Sequence, residues 1–262
     1  TVTLSATDFT EGNNTLASNY ILPTIATGAG AITPKAITIT GLGADDKVYD
    51  GDTAAVLNGK ADFSGTSLAG AGTSTDGYVY GVDDIKIVGT AAGAFTSKNV
   101  IGAQNVTITG LSLDGDDKGN YTLVPHADVQ AEVTPKALTI NDSVASDKVY
   151  DATADAEVTL GRVDGLVGNE TLNITAAGEF DSKNVARDLN DAVVAQDVTA
   201  SYTLADGDNG ELSSNYSVDT NEVLSATITP KTLSVTGLSS GDKIYDGTII
   251  AVVDGEAQLA TL

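Results

Sequence analysis

The sequence Asn120-Tyr121, followed by Thr134-Pro135-Lys136 and then Lys148-Val149-Tyr150-Asp151, is one copy of a block that occurs three times in this chain. In every copy the first Tyr lies 14 residues before the Pro, and the Pro lies 15 residues before the second Tyr. The distance between blocks varies, since Tyr49 to Tyr121 is 72 residues and Tyr150 to Tyr216 is 66. Loops absorb insertions and packed junctions do not, so the block indicates a packed junction in a tandem repeat. The other copies are Asn19-Tyr20, Thr33-Pro34-Lys35 and Lys47-Val48-Tyr49-Asp50, and Asn215-Tyr216, Thr229-Pro230-Lys231 and Lys243-Ile244-Tyr245-Asp246.

The repeat length sets the predicted domain organisation. Successive prolines of the block are 101 and 95 residues apart, which is the usual size of an independent domain. We therefore predict the closing third of a module at 1–35, a complete module at 36–135, a second complete module at 136–230 and the opening third of another at 231–262. On this interpretation the chain is an excerpt of a longer protein, and any export signal would lie outside it.

The hydrophobic pattern predicts an all-β fold. Apolar and polar residues alternate with period two in short runs separated by turn signals, and no run of twelve or more residues carries a helical stripe. Around Pro34 the apolar residues change from even to odd positions, and similar changes follow Pro135 and Pro230. Because proline belongs at strand ends, we interpret Thr-Pro-Lys as the crossing from the last strand of one module to the first of the next. Together these features predict tandem β-sandwich modules, immunoglobulin-like or related, in an elongated array.

Composition excludes several classes of partner. A formal net charge of −23 makes binding to DNA, RNA or anionic lipid unfavourable, because each phosphate contact needs a cation. No apolar run approaches the roughly 18 residues of a membrane span. The chain has no Cys, so it has neither disulfides nor thiolate sites. We predict no nucleic-acid partner and no membrane insertion.

The repeated tyrosines and aspartates are predicted to be structural. Tyr20, Tyr121 and Tyr216 are expected to pack in the core and to hydrogen-bond a backbone carbonyl, as corner tyrosines do in sandwiches. The second tyrosine of each block is followed by an aspartate that is expected to cap a turn through an Asx-type hydrogen bond. These pairs are Tyr49 with Asp50, Tyr150 with Asp151, and Tyr245 with Asp246.

Catalytic chemistry is not indicated, and metal binding has one candidate. His126 is the only histidine and has no counterpart in the second module, so we predict that the protein is not an enzyme. Two glycine-containing acidic turns place hard oxygen ligands close together, which suits Ca²⁺, although neither follows the EF-hand pattern. The calcium candidates are Asp114, Asp116 and Asp117 in one turn and Asp206, Asp208 and Asn209 in the other.

A covalent crosslink is a further hypothesis. Lysine and asparagine both recur in the block, and some adhesin sandwiches join such a pair as an isopeptide. The lysines are Lys47, Lys148 and Lys243, and the asparagines are Asn19, Asn120 and Asn215.

The motifs resemble those of a known family. Lys-Val-Tyr-Asp-Gly-x-Thr from Lys47, Phe-x-Ser-Lys-Asn-Val from Phe95, Val-Thr-Ile-Thr-Gly-Leu from Val106 and the closing Thr-Pro-Lys are similar to the YDG and MBG repeats of large bacterial surface adhesins. These adhesins include filamentous-haemagglutinin-like proteins of two-partner secretion. The resemblance covers nearly the whole chain, with two departures in the second module: Asp151-Ala152 replaces Asp-Gly, and the segment Val193–Leu204 is longer before the acidic turn.

The resemblance implies a role as stalk or spacer in an extracellular protein, at the bacterial surface or secreted, where it takes part in adhesion and biofilm formation. The partners expected are the neighbouring modules of the same chain. An alternative is a module that binds glycan or a partner chain through the variable loops, where Tyr78 and Tyr80 are the clustered aromatic residues. A third possibility is pairing of edge strands between identical chains, since partial modules expose unpaired backbone groups.

Overall fold

The computed structural model describes residues 2–9, 20–28, 30–70, 73–219 and 221–259, and the fold is all-β as predicted. The only helical elements in these ranges are single 3-10 turns at Ala6–Asp8, Lys118–Asn120 and Ser213–Asn215. Within the same ranges no helix has the length and apolarity needed to cross a membrane. The tandem sandwich arrangement stays a prediction.

The chain divides into two compact units whose segments interleave along the sequence. Unit 1 contains residues 1–43, 57–93 and 107–129, and unit 2 contains residues 44–56, 94–106 and 130–262. The repeat-based bounds 36–135 and 136–230 follow the sequence alone and stay a prediction.

Unit 1 combines short strands with most of the two longer strands β10 and β11. Its pairs are antiparallel β1 with β2, parallel β3 with β12, parallel β8 with β9, and β4 with β7. The strands are β1 (Val2–Thr3), β2 (Ile25–Ala26), β3 (Lys35–Ile37), β4 (Ile39–Ala44), β7 (Leu57–Phe63), β8 (Thr66–Ser67), β9 (Val79–Tyr80) and β12 (Tyr121–Leu123), with most residues of β10 (Lys86–Phe95) and β11 (Ala103–Asp114).

The core of unit 1 forms where β3, β9 and β12 meet. Ile37, Val79 and Tyr121 are buried there, and Phe63 and Leu113 pack against them. The parallel register places Tyr121 opposite Lys35 and Leu123 opposite Ile37. The strand that follows Pro34, β3, therefore pairs with the strand that begins at Tyr121, β12.

Unit 2 contains a ladder of eight residue pairs between β20 and β21. Phe180 pairs with Val198 and Asn173 with Ala205 along β20 and β21, and β17 and β23 complete this sheet in the order β17-β20-β21-β23. In the same unit β5 pairs in parallel with β13, with Lys47 opposite Val133. The strands are β5 (Lys47–Val48), β6 (Ala54–Ala55), β13 (Val129–Thr134), β14 (Lys136–Asn141), β15 (Val144–Ala145), β16 (Lys148–Val149), β17 (Asp155–Ala156), β18 (Val158–Thr159), β19 (Arg162–Asp164), β20 (Asn173–Phe180), β21 (Gln196–Ala205), β22 (Tyr216–Val218), β23 (Glu222–Ala226), β24 (Ile228–Thr229), β25 (Val235–Thr236), β26 (Ser239–Ser240), β27 (Val253–Asp254) and β28 (Gln258–Leu259).

The core of unit 2 repeats one set of positions. Phe180, Val198, Ala226 and Ile228 are buried in one cluster. The corresponding residues of the preceding repeat are also buried, and these are Phe95, Val106, Ala131 and Val133. Apolar side chains at alternating strand positions remove apolar surface from water on one sheet face, which is the main stabilising term of such a fold.

The strand predicted to end at Thr-Pro-Lys does end at Pro135, whereas the passage from one module to the next stays a prediction. β13 ends at Thr134 and β14 begins at Lys136, and the two strands lie in different sheets. Ala131 and Val133 are buried on odd positions before the proline, and Leu138 is buried on an even position after it. The missing N–H of proline ends the first ladder, and the one-residue shift turns the apolar face over.

The two ends of the chain depart from the prediction. Tyr20 is 64% exposed, so the expected packing of its ring in the core is wrong. Among the described residues no strand pairs beside Tyr20 in the way that β3 pairs with β12 at Tyr121. Tyr245 is likewise exposed, and the strands after Pro230 form only two-stranded pairs. The loop expected at residues 11–14 and the crosslink candidate Asn19 lie outside the described residues.

Candidate functional site

The candidate site is a hydrogen-bonded cluster in unit 2 that we call the tyrosine–glutamate cluster, defined as Tyr49, Lys98, Glu170, Asn215 and Tyr216. Tyr49 follows β5 and is 2% exposed, whereas Tyr216 begins β22 and is 5% exposed. Glu170 lies between β19 and β20. The cluster therefore joins residues that are up to 167 positions apart in the sequence, from Tyr49 to Tyr216.

Each oxygen of the Glu170 carboxylate accepts a hydrogen bond from a tyrosine hydroxyl. The Tyr49 hydroxyl donates to Oε1 at 2.7 Å, and the Tyr216 hydroxyl donates to Oε2 at 2.6 Å. The Lys98 ammonium lies 3.6 Å from Oε1. The two tyrosine rings meet edge to face, with centroids 5.4 Å apart. Such rings stabilise one another beyond the area they bury, and charged acceptors make the strongest hydrogen bonds.

Asn215 locks the same region through its amide. Its Oδ1 accepts the backbone N–H of Val100 at 2.9 Å, and its Nδ2 donates to Oδ1 of Asn99 at 3.0 Å. The side chain is 1% exposed. A buried amide satisfied at both ends specifies one arrangement of the segments that it joins, because any other arrangement leaves polar atoms unpaired. The Asn of the Asn-Tyr pair and the Lys-Asn-Val segment are therefore direct partners in this unit.

Burial and the hydrogen bonds between the tyrosines and Glu170 shift the pKa values of all three side chains. Burial opposes ionisation of Glu170, but the hydrogen bonds from Tyr216 and Tyr49 and the charge of Lys98 outweigh it and lower the pKa of this carboxyl. Burial and the hydrogen bond to Glu170 raise the pKa of Tyr216 from 10.0 to about 12. The same two causes raise the pKa of Tyr49 well above its usual value.

Alkaline pH is expected to destabilise the protein through these tyrosines. In the unfolded chain a tyrosine loses its proton near pH 10, whereas Tyr216 in the folded chain holds it to about pH 12. The stability that the raised pKa of Tyr216 contributes is therefore fully present below pH 10 and is lost as the pH rises toward 12. Urea unfolding across this range should show a falling free energy of unfolding, with a shallower fall in the Tyr49→Phe/Tyr216→Phe double variant. Equal slopes in the two proteins would contradict the assignment.

Unit 1 contains a related arrangement around Tyr121. Its hydroxyl donates to Oδ2 of Asp83 at 2.6 Å and accepts the backbone N–H of Tyr80 at 3.0 Å. Tyr216 does the same with Glu170 and with the N–H of Val167, also at 3.0 Å. The prediction that these tyrosines bond a backbone carbonyl is wrong. A carboxylate accepts the hydrogen bond of each hydroxyl instead, because a charged acceptor forms a stronger hydrogen bond than a neutral carbonyl does.

The sequence reasoning missed both carboxylates. Each is the fourth residue of a turn in which its own N–H donates to the carbonyl of the first residue, at 3.1 Å in Tyr80–Asp83 and 3.0 Å in Val167–Glu170. The turns lie between the blocks, in a stretch whose length differs from one repeat to the next. Asp83 comes 38 residues before Tyr121, and Glu170 comes 46 residues before Tyr216. Both carboxylates end a run of an apolar residue, Gly, any residue and then Asp or Glu, read as Tyr-Gly-Val-Asp and Val-Gly-Asn-Glu. Leu42-Gly43-Ala44-Asp45 has the same pattern, so the pattern alone does not identify them.

The predicted Asx-type turns are confirmed in all three blocks. Oδ1 of Asp50, Asp151 and Asp246 accepts the backbone N–H two residues later, at distances of 3.0, 2.9 and 2.9 Å. The block lysine completes each turn, as Lys47 donates to Asp50 at 2.7 Å and to the carbonyl of Ala54 at 3.0 Å. Lys148 and Lys243 make the equivalent bonds.

The isopeptide hypothesis is contradicted by these contacts. The three block lysines direct their ammonium groups into their own turns, and Asn215 bonds Val100 and Asn99. An amide-forming lysine must lie against the asparagine carboxamide, whereas here its donors are taken by the carboxylate and carbonyls of the turn.

Ala152 is expected to be the strained residue of its turn. It adopts φ of 70°, the left-handed region, where Gly51 and Gly247 stand in the other two blocks with φ of 82° and 77°. Since a Cβ costs about 1 kcal/mol there, Ala152→Gly should raise the free energy of unfolding by roughly 0.5–1 kcal/mol. Gly51→Ala should lower it by more than Gly247→Ala, because the added Cβ would lie 2.9 Å from Val167 whereas at Gly247 nothing lies within 4 Å. Chemical denaturation of the three variants measures this, and a destabilised Ala152→Gly would refute it.

The acidic turns are held by protein groups. Asp114 pairs with Lys118 at 2.9 Å, and this contact lowers the pKa of the Asp114 carboxyl. The Asp117 carboxylate accepts a hydrogen bond from the backbone N–H of Asp84 at 2.8 Å. The backbone N–H of Asp116 donates to the Asp84 carboxylate at 3.5 Å. In the second turn, Asp206 accepts both the N–H and the hydroxyl of Ser213, Asn209 bonds Glu211, and Asp208 accepts from Asn173.

Among the described residues no three His, Cys, Asp or Glu side chains are arranged to hold a metal ion. Calcium at these turns stays a prediction. Its test is a rise in melting temperature in millimolar Ca²⁺ that EDTA reverses.

The remaining candidates are ordinary surface and packing residues. His126 is half-buried beside a groove that also contains Ile39 and Leu111, and its Nδ1 lies 2.6 Å from the carbonyl of Ala127. Tyr80 packs against the core of unit 1 with the Lys35 ammonium 4.3 Å from its ring centre, whereas Tyr78 is 39% exposed. Glycan binding through these two residues stays a prediction.

These features define an all-β protein of repeated modules in which the recurring residues hold chain segments together. Comparison with protein families agrees: the model of the YDG domain matches residues 33–131 and again 134–223. The chain therefore belongs to the YDG domain family. No curated protein matches it.

Proposed function

We propose that these YDG domains are structural spacers of a bacterial adhesin, extracellular and exposed at the cell surface or secreted. The observation that supports this best is the tyrosine–glutamate cluster. It uses residues of both family matches, Tyr49 and Lys98 from the first and Glu170 and Tyr216 from the second, and it leaves both carboxylate oxygens occupied by protein donors. The recurring residues thus hold neighbouring repeats together, and contacts between neighbours stabilise an array of repeats.

Three sequence features support the surface context. The chain carries a net charge of −23 and no Cys, which is a composition common in large exported repeat proteins. The Lys-Val-Tyr-Asp-Gly and Phe-x-Ser-Lys-Asn-Val motifs are similar to those of adhesins exported by two-partner secretion. In such a protein the array holds a distal binding region away from the cell.

Small-angle scattering tests the spacer proposal. A compact globule of this length has a radius of gyration near ~18 Å, whereas modules laid end to end should give about 30 Å. The measurement is made at dilutions where the mass is that of a monomer. A value near the lower figure would overturn the spacer.

A further inference from the structure

Unit 1 contains an apolar groove to which the spacer proposal gives no role, and we call it the unit 1 groove. Ile39, Ile108 and Leu111 contribute apolar walls, and Tyr121 and His126 also line it. Its volume is about 530 Å³. Ligand sites in proteins have volumes of roughly 300–1,000 Å³ and are mostly apolar with a few polar groups, so the size and the lining both suit a small molecule.

The second repeat has a smaller groove at the equivalent place, with a volume of about 320 Å³. Ile39 and Ile140 each come five residues after the proline of their block, and Leu123 and Val218 each come two residues after its first tyrosine. Each groove is lined by residues of one family match, 33–131 or 134–223. The two repeats can therefore be compared position by position.

A tyrosine ring of the chain itself lies at this place in the second repeat. Tyr202 is 4% exposed and follows the buried Ala200 on the same face of β21. Its hydroxyl is hydrogen-bonded to the Ser143 hydroxyl at 2.7 Å and to the Glu222 carboxylate. The second repeat therefore holds a phenol ring here and supplies hydrogen-bond partners for its hydroxyl.

The first repeat has neither this ring nor its partners. After the buried Ile108, Gly110 adopts φ of 85° and shifts the alternation of β11 by one residue, so Leu111 takes the inward position that Tyr202 has in β21. A leucine side chain is smaller than a tyrosine side chain, which leaves the unit 1 groove the larger of the two. The partners of the hydroxyl are also replaced by apolar residues, with Leu42 in place of Ser143 and Ala127 in place of Glu222.

His126 gives the unit 1 groove an unpaired polar atom. Its Nδ1 lies 2.6 Å from the carbonyl of Ala127, and because a carbonyl only accepts, Nδ1 carries the proton of the neutral ring and Nε2 is an acceptor. This Nε2 is buried and has no hydrogen-bond partner among the described residues. A buried acceptor without a donor is unfavourable, so the groove favours an occupant that brings one.

We propose that the unit 1 groove binds a phenol, with the ring in the place of the Tyr202 ring and the hydroxyl donating to Nε2 of His126. The second repeat indicates the orientation, since the Tyr202 hydroxyl bonds Glu222 and the counterpart of Glu222 is Ala127, next to His126. A small rotation of the half-buried imidazole brings Nε2 to the occupant. This inference is independent of the spacer proposal, because ligand binding and scattering are separate measurements.

The test compares two ligands that differ in one hydrogen-bond donor. The first is p-cresol, which is the tyrosine side chain as a free molecule, and the second is 4-methylanisole, its methyl ether. Titrations at pH 8 are followed by nuclear magnetic resonance. The dissociation constant of p-cresol should be on the order of 1 mM or tighter, and that of the ether should be at least about 10-fold weaker.

Three variants locate the site. His126→Phe keeps a planar ring and removes the acceptor, so p-cresol should bind about 10-fold more weakly and its advantage over the ether should vanish. Leu111→Tyr places a ring in the groove and should abolish binding of both ligands. Asn221→Ala is the matched control, because Asn221 is the counterpart of His126 in the repeat where Tyr202 fills the site. Melting temperatures show whether each variant folds.

Absence of p-cresol binding would overturn the proposal, as would equal affinity for the two ligands or an advantage of p-cresol that survives His126→Phe. N-acetyl-tyrosinamide distinguishes the sources of the phenol. Binding as tight as that of p-cresol assigns the groove to a tyrosine of a partner chain, whereas binding of p-cresol alone assigns it to a free small molecule. Both results support a phenol as the occupant.

Discussion

Replacing Tyr49 by alanine is expected to lower the free energy of unfolding by about 3–5 kcal/mol, the usual loss for a large aromatic side chain deleted from a core. The side chain is 2% exposed, its ring packs edge to face on Tyr216 and its hydroxyl bonds Glu170. The truncation removes buried apolar area, one aromatic pair and one charge-assisted hydrogen bond. It also leaves a cavity that neighbouring strands fill only in part.

The matched control comes from the same motif. Tyr245 occupies the equivalent position of the third block and is 90% exposed, so Tyr245→Ala should change the free energy of unfolding by less than about 0.5 kcal/mol. Urea denaturation followed by tyrosine fluorescence and by far-ultraviolet circular dichroism measures both variants. Similar losses for the two would show that Tyr49 gains nothing from its tertiary surroundings.

The second large effect is expected for Glu170→Ala, at about 3 kcal/mol, because two buried tyrosyl hydroxyls would lose their acceptor. The Tyr216 hydroxyl would still accept a hydrogen bond from the Val167 N–H, but it would lose Glu170 as the acceptor of its own hydrogen bond. Glu170→Gln keeps an acceptor oxygen and removes the charge, so its loss should be smaller. Lys98→Ala is the control, since its contact with Glu170 is 3.6 Å long and its side chain is 47% exposed.

A double-mutant cycle separates the cluster from simple packing. Tyr216→Phe keeps the ring and removes the hydroxyl, so combining it with Glu170→Ala should cost less than the sum of the single losses, by roughly 1–2 kcal/mol. Strict additivity of the two variants would mean that the hydroxyl and the carboxylate do not stabilise one another. The same cycle with Tyr49→Phe reports on the other carboxylate oxygen.

Much of the local structure could be predicted from the residues. The turns at Asp50, Asp151 and Asp246 follow from the Asx hydrogen bond of each aspartate, so all three are present even where the surrounding strands are exposed. The crossing at Pro135 follows from the missing N–H of proline and from the one-residue shift in the apolar pattern. Both are short-range rules that need no knowledge of distant partners.

The acceptor of the buried tyrosines could not be predicted in the same way. Glu170 lies 46 residues before Tyr216 in a stretch whose length differs between repeats, and Asp83 lies 38 residues before Tyr121. No period or spacing links an acidic residue there to a particular tyrosine, and many other carboxylates are available in a chain of 36 Asp and Glu. The folded chain selects these two because a turn positions them beside the hydroxyl.

The three block tyrosines show where local sequence stops deciding structure. Lys-x-Tyr-Asp forms the same lysine-bridged turn each time, yet Tyr49 is buried, Tyr150 is half-buried and Tyr245 is exposed. The all-β class, the repeat and the turn geometry could be predicted from the residues, because these depend on groups within a few positions of one another. Which tyrosine joins a cluster depends on tertiary packing, because burial and a charged acceptor require that a segment more than a hundred residues away packs against it.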